Sequence, residues 1–193
     1  MAEIDLVCPW VDGNDPAWQQ ERQRYASPEM QSGVVMFRDW DLMRYWFRGV
    51  EKALPWIRTV HFVTWGHLPP WLNTAHPKLH IVRHDAFLPK AYRPTFNSSA
   101  IMLNVHRIPG LAEQFILSND DCFFLDSVAP EEYFQSGLPC DCLHILPITE
   151  VCTDHFGHTL WNNISCLNEH FDLQACMGAH REKWFADCYS AQV

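Results

Sequence analysis

Gln114-Phe115-Ile116-Leu117-Ser118-Asn119-Asp120-Asp121-Cys122-Phe123-Phe124-Leu125-Asp126 sets a polar stretch between two apolar runs. Phe115, Ile116 and Leu117 form the short continuous apolar run expected of a strand buried on both faces. The run stops at Ser118-Asn119-Asp120-Asp121, and Phe123-Phe124-Leu125 follows at once. Aspartate is almost never fully buried unless paired, and an unpaired buried carboxylate is costly or neutralises itself. Asp120 and Asp121 are therefore expected at a strand end, facing a cleft. Carboxylates there can hold a hard divalent cation, Mg2+ or Mn2+, together with a nucleotide's phosphates. The alternative is a polar turn between two strands, with Asn119 and Asp120 making turn hydrogen bonds.

The 193 residues suffice for one domain with a single core, and 48% hydrophobic residues mark a globular chain. Nine Trp and twelve Phe suit a large core and also sugar or nucleobase sites. A formal net charge of -9 argues against a general nucleic-acid binder. An anionic ligand then needs a local cluster of Arg, His or helix N-termini. No apolar run is long enough to cross a membrane. The start, Met1-Ala2-Glu3-Ile4-Asp5, reads as no signal peptide, so the eight cysteines are expected as reduced thiols.

Taken in order, Ile4–Val7 reads as a first strand running into Cys8-Pro9-Trp10-Val11-Asp12-Gly13-Asn14-Asp15-Pro16. That loop sits where open α/β sheets take their ligands. Asp15 is expected to cap a helix over Pro16–Tyr25, with Pro16 in its first turn, and residues 26–36 read as a loop. A second helix opens at Phe37-Arg38-Asp39-Trp40-Asp41 and runs to about Ala53, with Met43, Phe47, Val50 and Leu54 as its apolar stripe. Arg44 and Arg48 share a face; they suit phosphate, or surface pairs with Asp41 and Glu51. Thr59–Thr64 and Leu79–Val82 read as strands, the second closed by His84-Asp85.

Asn97 or Ser98 caps a helix from about Ser99 to Ile108, buried through Ile101, Val105 and Ile108. Asn104 and Arg107 share a further face, and His106 points elsewhere; helix-dipole duty is the plain alternative for these cations. Ala129–Phe134 reads as a helix start, Leu143–Leu146 as a strand and Trp161–Tyr189 as packing helices. Cys140, Cys142, Cys152 and His155 hint at zinc, but their spacing matches no common finger.

Several of these stretches together resemble the Stealth proteins, sugar-phosphate transferases of microbial capsular polysaccharide synthesis. Their animal relative is the lysosomal-enzyme N-acetylglucosamine-1-phosphotransferase α/β subunit. The resemblance runs through Ile4–Pro16, Phe37-Arg38-Asp39-Trp40-Asp41 with Met43-Arg44-Tyr45 and Arg48, and Val50-Glu51-Lys52. It continues through Pro55-Trp56-Ile57, Val63-Thr64, Trp71-Leu72-Asn73, Pro94–Ser98, His106–Leu111 and Asn119-Asp120-Asp121. The order and spacing of these pieces carry it over residues 4–126. Trp40, Leu42, Met102 and Cys8-Pro9 depart from residues frequent in the family. The family's later blocks, with a His and an Arg tied to activity, are not found in this sequence.

The resemblance implies an α/β fold with a mostly parallel sheet flanked by helices, Rossmann-like, as in nucleotide-sugar transferases. The alternation of strands and helices agrees independently. Residues 1–193 are expected as a single transferase domain without those later blocks, binding donor but transferring poorly. The implied reaction moves a hexose-1-phosphate from a nucleoside-diphosphate sugar, first of all a UDP-sugar, to a glycan hydroxyl. The implied catalytic residues are Asp120, Asp121, Arg107 and His106, with Asp120 and Asp121 holding Mg2+ or Mn2+. Trp10, Asp12, Gly13, Arg38, Asp39, Arg44, Asn97 and Asn119 are the implied substrate-binding residues. The implied location is the microbial cytoplasm, at or near the inner face of the membrane. Two rivals remain: a metal-dependent glycosyltransferase that releases a nucleoside diphosphate, and a non-catalytic sugar-nucleotide or zinc-binding module.

Overall fold

In a computed structural model of the chain, residues 3–26, 37, 39–140 and 155–172 are described. They fall into two compact units, Met1–Cys140 and Asp141–Val193. The first is built on four parallel strands: β1 (Ile4–Pro9), β2 (Val60–Thr64), β3 (Leu79–Arg83) and β4 (Gln114–Leu117), in the order β3-β2-β1-β4. Ile4 lies opposite Gln114, Leu6 opposite Val60, and His61 opposite His80. The chain thus lays β1, β2 and β3 side by side, then returns to place β4 on the free side of β1. The expected parallel sheet flanked by helices is present.

Alternation along each strand splits the core. Ile4, Leu6, Cys8, Val60 and Phe62 face helix α2 (Met43–Ala53), which buries Met43, Trp46, Val50 and Ala53 against them. Val7, Val63 and Val82 face the other layer, made by α3 (His84–Phe87), α4 (Ser98–Met102) and a 3-10 turn at Val105–Arg107. Helix α1 (Pro16–Tyr25) starts as expected: the Asp15 side chain accepts from the amides of Ala17 and Trp18, and Pro16 occupies the first turn.

Several expectations change. β4 forms, but at the sheet edge: among the described residues it pairs only with β1, its residues are half-buried, and Leu117 is exposed. Helix α2 begins at Met43, because Asp41 adopts a left-handed φ of 55° and the Asp39 carboxylate accepts its amide. The helix expected to reach Ile108 breaks at Leu103, and the Asn104 side chain bonds back to the Ala100 carbonyl. Asn104 is buried while Arg107 is exposed, so the two do not share a face. His84-Asp85 opens a short helix rather than closing the strand. The helix start expected at Ala129 is a 3-10 turn (Pro130–Glu132), followed by a hairpin of β5 (Phe134–Gln135) and β6 (Leu138–Pro139). Ser136 and Gly137 turn that hairpin with positive φ, as two-residue hairpin loops require.

The second apolar run, Phe123-Phe124-Leu125, is no strand. Residues 119–128 lie along α2 as a strap. Trp46 Nε1 donates to the Asn119 carbonyl at 3.2 Å, the Val128 amide donates to Ala53 at 3.2 Å, and Trp56 Nε1 donates to Val128 at 2.7 Å. Between these points the Phe124 carbonyl approaches Gly49 so closely that a Cβ there would lie 2.8 Å from its oxygen. Residues 46, 49 and 53 form one stripe of α2, continued past the helix end by Trp56; it is bulky at Trp46 and Trp56 and small at Gly49 and Ala53, where the backbone of the strap comes closest. Alanine at an exposed helix glycine ordinarily stabilises by about 1 kcal/mol. Gly49→Ala is expected to do the reverse and cost about 1–3 kcal/mol, because the strap must move. Urea denaturation reads this as a lower midpoint; a higher midpoint would mean the strap is not held tightly.

The second unit is described through α5 (His155–His170), in which Ile164 is buried and His170 Nδ1 lies 2.8 Å from the Cys166 carbonyl. The strand expected at Leu143–Leu146, Cys142, Cys152 and the tail beyond Asp172 lie outside the described residues. Among the described residues no helix is long and apolar enough to cross a membrane.

Candidate functional site

The strand order places the topological switch between β1 and β4, and ligands of open α/β sheets bind outside the carboxyl ends of the strands at such a point. Two loops meet that crevice: Trp10–Asp15 after β1, and Ser118–Asp121 after β4.

The β4 loop is fixed by its backbone. The Ser118 amide donates to Val7 at 2.9 Å, extending the β1–β4 ladder by one rung. The Asn119 carbonyl accepts from the Cys122 amide at 3.3 Å, the Ser118 hydroxyl at 3.1 Å and Trp46 Nε1. Asp120 and Asp121 thus occupy the two central positions of a tight turn whose closing bonds run through the Asn119 carbonyl; their own side-chain bonds are local, Asp120 accepting from its own amide and Asp121 from the Cys122 thiol at 3.7 Å. Asp120 is half-buried and Asp121 exposed. Burial pushes the Asp120 carboxyl up, the hydrogen bond from its own amide offsets part of that, and the charges of Asp121 and Asp39 add to the rise. Cys8, fully buried, registers the same field: burial first, then Asp120 and Asp121, drive its thiol well above the usual range.

Asp39, Asp120 and Asp121 therefore share one field of negative charge, and among the described residues no Lys, Arg or His forms an ion pair with any of them. That donor set of hard oxygens suits Mg2+ or Mn2+. No three His, Cys, Asp or Glu among the described residues form a ready-made cage. Mg2+ needs none, since it is usually bound by one or two carboxylates with substrate phosphates and water.

The β1 loop is equally organised. The Asp12 carboxylate accepts from the Asn14 amide at 2.8 Å, and Gln19 Nε2 donates to the Gly13 carbonyl at 2.7 Å. Gly13 is buried against Phe37, whose carbonyl oxygen would collide with any Cβ there. Trp10 is 7% exposed and stacks on Phe62, with centroids 5.4 Å apart, so it supports the loop from below. Asn97 accepts from the amides of Ser99 and Ala100 as the cap of α4.

Asp12, Gly13, Asp39, Asn119, Asp120 and Asp121 all belong to segments at the carboxyl end of the sheet. Arg44, in the first turn of α2, lies 5.3 Å over the Trp71 ring and 4.0 Å from Asp41. Arg38 lies outside the described residues. Among the described residues no hydrogen bond or ion pair joins His106 or Arg107, in the 3-10 turn after α4, to the carboxylates. The residues that follow them run along the amino ends of the strands, where Arg58 Nη2 donates to Gly110 and the Ala112 amide donates to Asp5, before β4 begins at Gln114. The full length of β4, roughly 10 Å, separates that end from the Asp120 turn.

Sequence reasoning missed two residues here. Trp46 sits beside the apolar stripe of α2 in the sequence, and it also donates to the Asn119 carbonyl. His67 read as part of an anonymous loop, yet its Nε2 accepts from the Asp12 amide at 2.8 Å. The small-residue gap at Gly49 and Ala53 in an otherwise bulky stripe was the available signal for the strap; nothing in the sequence pairs residue 67 with residue 12.

Residues 3–27 match Stealth protein CR1, conserved region 1, and residues 36–140 match Stealth protein CR2, conserved region 2. The chain is 40% identical over 186 residues to the capsular polysaccharide phosphotransferase WcwK of Streptococcus pneumoniae, covering 94% of this chain and 56% of that protein. It is 38% identical over 187 residues to the exopolysaccharide phosphotransferase cps2G of Lactiplantibacillus plantarum, covering 95% and 54%. To the capsular polysaccharide phosphotransferase CpsJ of Streptococcus thermophilus it is 37% identical over 189 residues, covering 94% and 78%. The chain thus spans about half the length of the first two. Its carboxylate turn falls inside the second conserved region and its β1 loop inside the first, and with relatives this similar along nearly its whole length the chain belongs to the Stealth protein family.

Proposed function

We propose that this chain forms the donor-binding and metal-binding part of a sugar-phosphate transferase. In that reaction a glycan hydroxyl oxygen attacks the sugar-bearing phosphorus of a nucleoside-diphosphate sugar. The bond from that phosphorus to the bridging oxygen breaks, and a nucleoside monophosphate leaves. The hydroxyl proton passes to a carboxylate base, and a hexose phosphodiester of a capsular or exopolysaccharide forms. The observation that carries the reading is the Asn119–Cys122 turn at the β1–β4 crevice, closed through backbone and Trp46 bonds, which presents two carboxylates without a cationic partner among the described residues.

The Asp12-Gly13 loop takes the nucleoside, with a UDP-sugar as the first donor to test. Asp120 and Asp121 would hold Mg2+ or Mn2+, and a carboxylate oxygen not engaged by the metal would orient and deprotonate the acceptor. A bound divalent cation would neutralise charge on the transferred phosphoryl group. Phosphate-facing arginines are best sought at the carboxyl end of the sheet, where Arg38 and Arg44 lie in sequence next to Asp39. A cytoplasmic site beside the membrane suits both the nucleotide donor and a polymer under assembly.

The test is the identity of the nucleotide released when the chain is incubated with UDP-sugars, Mg2+ or Mn2+ and a glycan acceptor. UMP supports sugar-phosphate transfer. UDP would instead mean cleavage at the sugar carbon, as in a glycosyltransferase. Tight donor binding with no release would reduce the chain to a binding module.

A further inference from the structure

We propose that His67 is a positioning residue for the nucleotide-binding loop, its neutral ring clasping Trp10–Asp15 in the shape that receives the donor. The inference rests on the reading of that loop as the nucleotide site.

His67 follows β2, yet its Nε2 accepts from the Asp12 amide of the loop after β1 at 2.8 Å. Its buried Nδ1 makes no hydrogen bond among the described residues and faces Asp15 Oδ2 at 3.3 Å as an electrostatic contact. Asp15 uses its other oxygen to cap α1. The ring therefore ties β2's loop to the Asp12 end of the turn by a hydrogen bond and faces the Asp15 end by electrostatics alone. Its edge meets the Trp10 face at 5.4 Å and Trp65 flanks it at 5.7 Å, so the imidazole cannot swing freely.

An N–H cannot donate to another N–H. The contact with Asp12 therefore requires a bare Nε2, and the neutral ring carries its proton on Nδ1, facing the Asp15 carboxylate. Adding a proton places N–H on Nε2 against the Asp12 amide and breaks the clasp. The charged and titratable groups facing the ring are Asp12 and Asp15 from the β1 loop and His84, the first residue of α3. Arg83, the last residue of β3, brings its guanidinium against Gly66, whose φ of 146° favours glycine. Burial outweighs the two carboxylates and keeps His67 below the ordinary imidazole value, in the clasping form at neutral pH.

The experiment measures UDP affinity by calorimetry with Mn2+ for the 193-residue chain between about pH 5 and 8, beside hydrogen exchange of the Asp12 amide and the ring-nitrogen shifts of His67. Wild type is expected to lose up to about tenfold in affinity per pH unit below the His67 titration, with Asp12 protection lost in parallel. His67→Ala should bind about tenfold more weakly at neutral pH. His67→Gln, whose side-chain oxygen accepts the same amide at any pH, should recover most of that loss and lack the His67 part of the acid limb. The comparison removes Asp120 and His84, which titrate in all three proteins. A Gln variant with the full acid limb, or an Ala variant that binds like wild type, overturns the proposal. If UDP binds wild type at no pH, the donor reading fails, while Asp12 protection that follows the His67 titration still supports the clasp and protection that ignores it overturns it.

Discussion

Asp120→Asn is expected to cut metal-dependent turnover on the order of 10²–10⁴-fold while leaving the fold unchanged or slightly more stable. The direction of the stability change is the informative part. The turn is held by the Asn119 carbonyl and its three donors, none of them the Asp120 side chain. Asp120 instead bears a carboxylate that is half-buried and repelled by Asp121 and Asp39. Neutralising it relieves that repulsion, so the melting temperature should hold or rise as activity disappears, the pattern of a site kept for function at some expense of stability. Asp121→Asn should behave similarly with a smaller stability gain, since it is exposed. The check is a pair of curves for each variant: thermal unfolding, and release of UMP with Mn2+. A variant that melts early and still turns over would mark the pair as turn chemistry.

Asp5→Ala is the second large effect, and it falls on stability. Asp5 is fully buried and takes two hydrogen bonds from Arg58 (Nε at 2.8 Å, Nη2 at 2.5 Å), one from the Ala112 amide at 2.8 Å and one from His61 Nε2 at 2.9 Å. Burial alone would raise its carboxyl; the donors, Arg58 foremost, overcome that and hold it low. Arg58 keeps 35% of its side chain in solvent and can turn to water. The cost therefore rests on the buried His61 ring and the half-buried Ala112 amide, each left without that acceptor. At about 1–3 kcal/mol for each orphaned donor, Asp5→Ala should cost about 2–5 kcal/mol and lower Tm by roughly 5–15 °C. Glu3→Gln, which loses only Arg58's exposed partner, should stay within about 0.5 kcal/mol. Equal melting temperatures for the two variants would show that the buried cluster contributes little.

What the sequence made legible divides along physical lines. Helix α1 was readable to its ends because Asp15 and Pro16 are local signals, acting on residues two or three away. The strands of the sheet were readable from short β-rich or apolar runs. The carboxylate turn was readable because charge between apolar runs has few places to go. Contacts between distant residues were not readable. Arg107 enters the candidate site only through the family resemblance, and no ion pair among the described residues joins it to Asp120 or Asp121. Trp10 enters the site through the family resemblance, and its stacking on Phe62, far from it in sequence, is a contact of the kind no local pattern shows. Phe123-Phe124 looked like a strand because an apolar run has no way to announce that it will lie along a helix with a glycine beneath it.

The bond from the Ala112 amide to Asp5 spans 107 residues of chain, which bears on the order of events during synthesis. β1 is the second strand in from its edge of the sheet, yet it is the first to leave the ribosome, and one of its flanks stays open until β4 has emerged. At about 5–20 residues per second, that delay lasts roughly 5–20 s. For that interval a strand of Ile4, Leu6 and Val7 offers a bare edge and an uncompensated acid. The nascent protein is thus most vulnerable to aggregation before its reactive turn exists, and agents that shield exposed strands should matter most to its yield in that window.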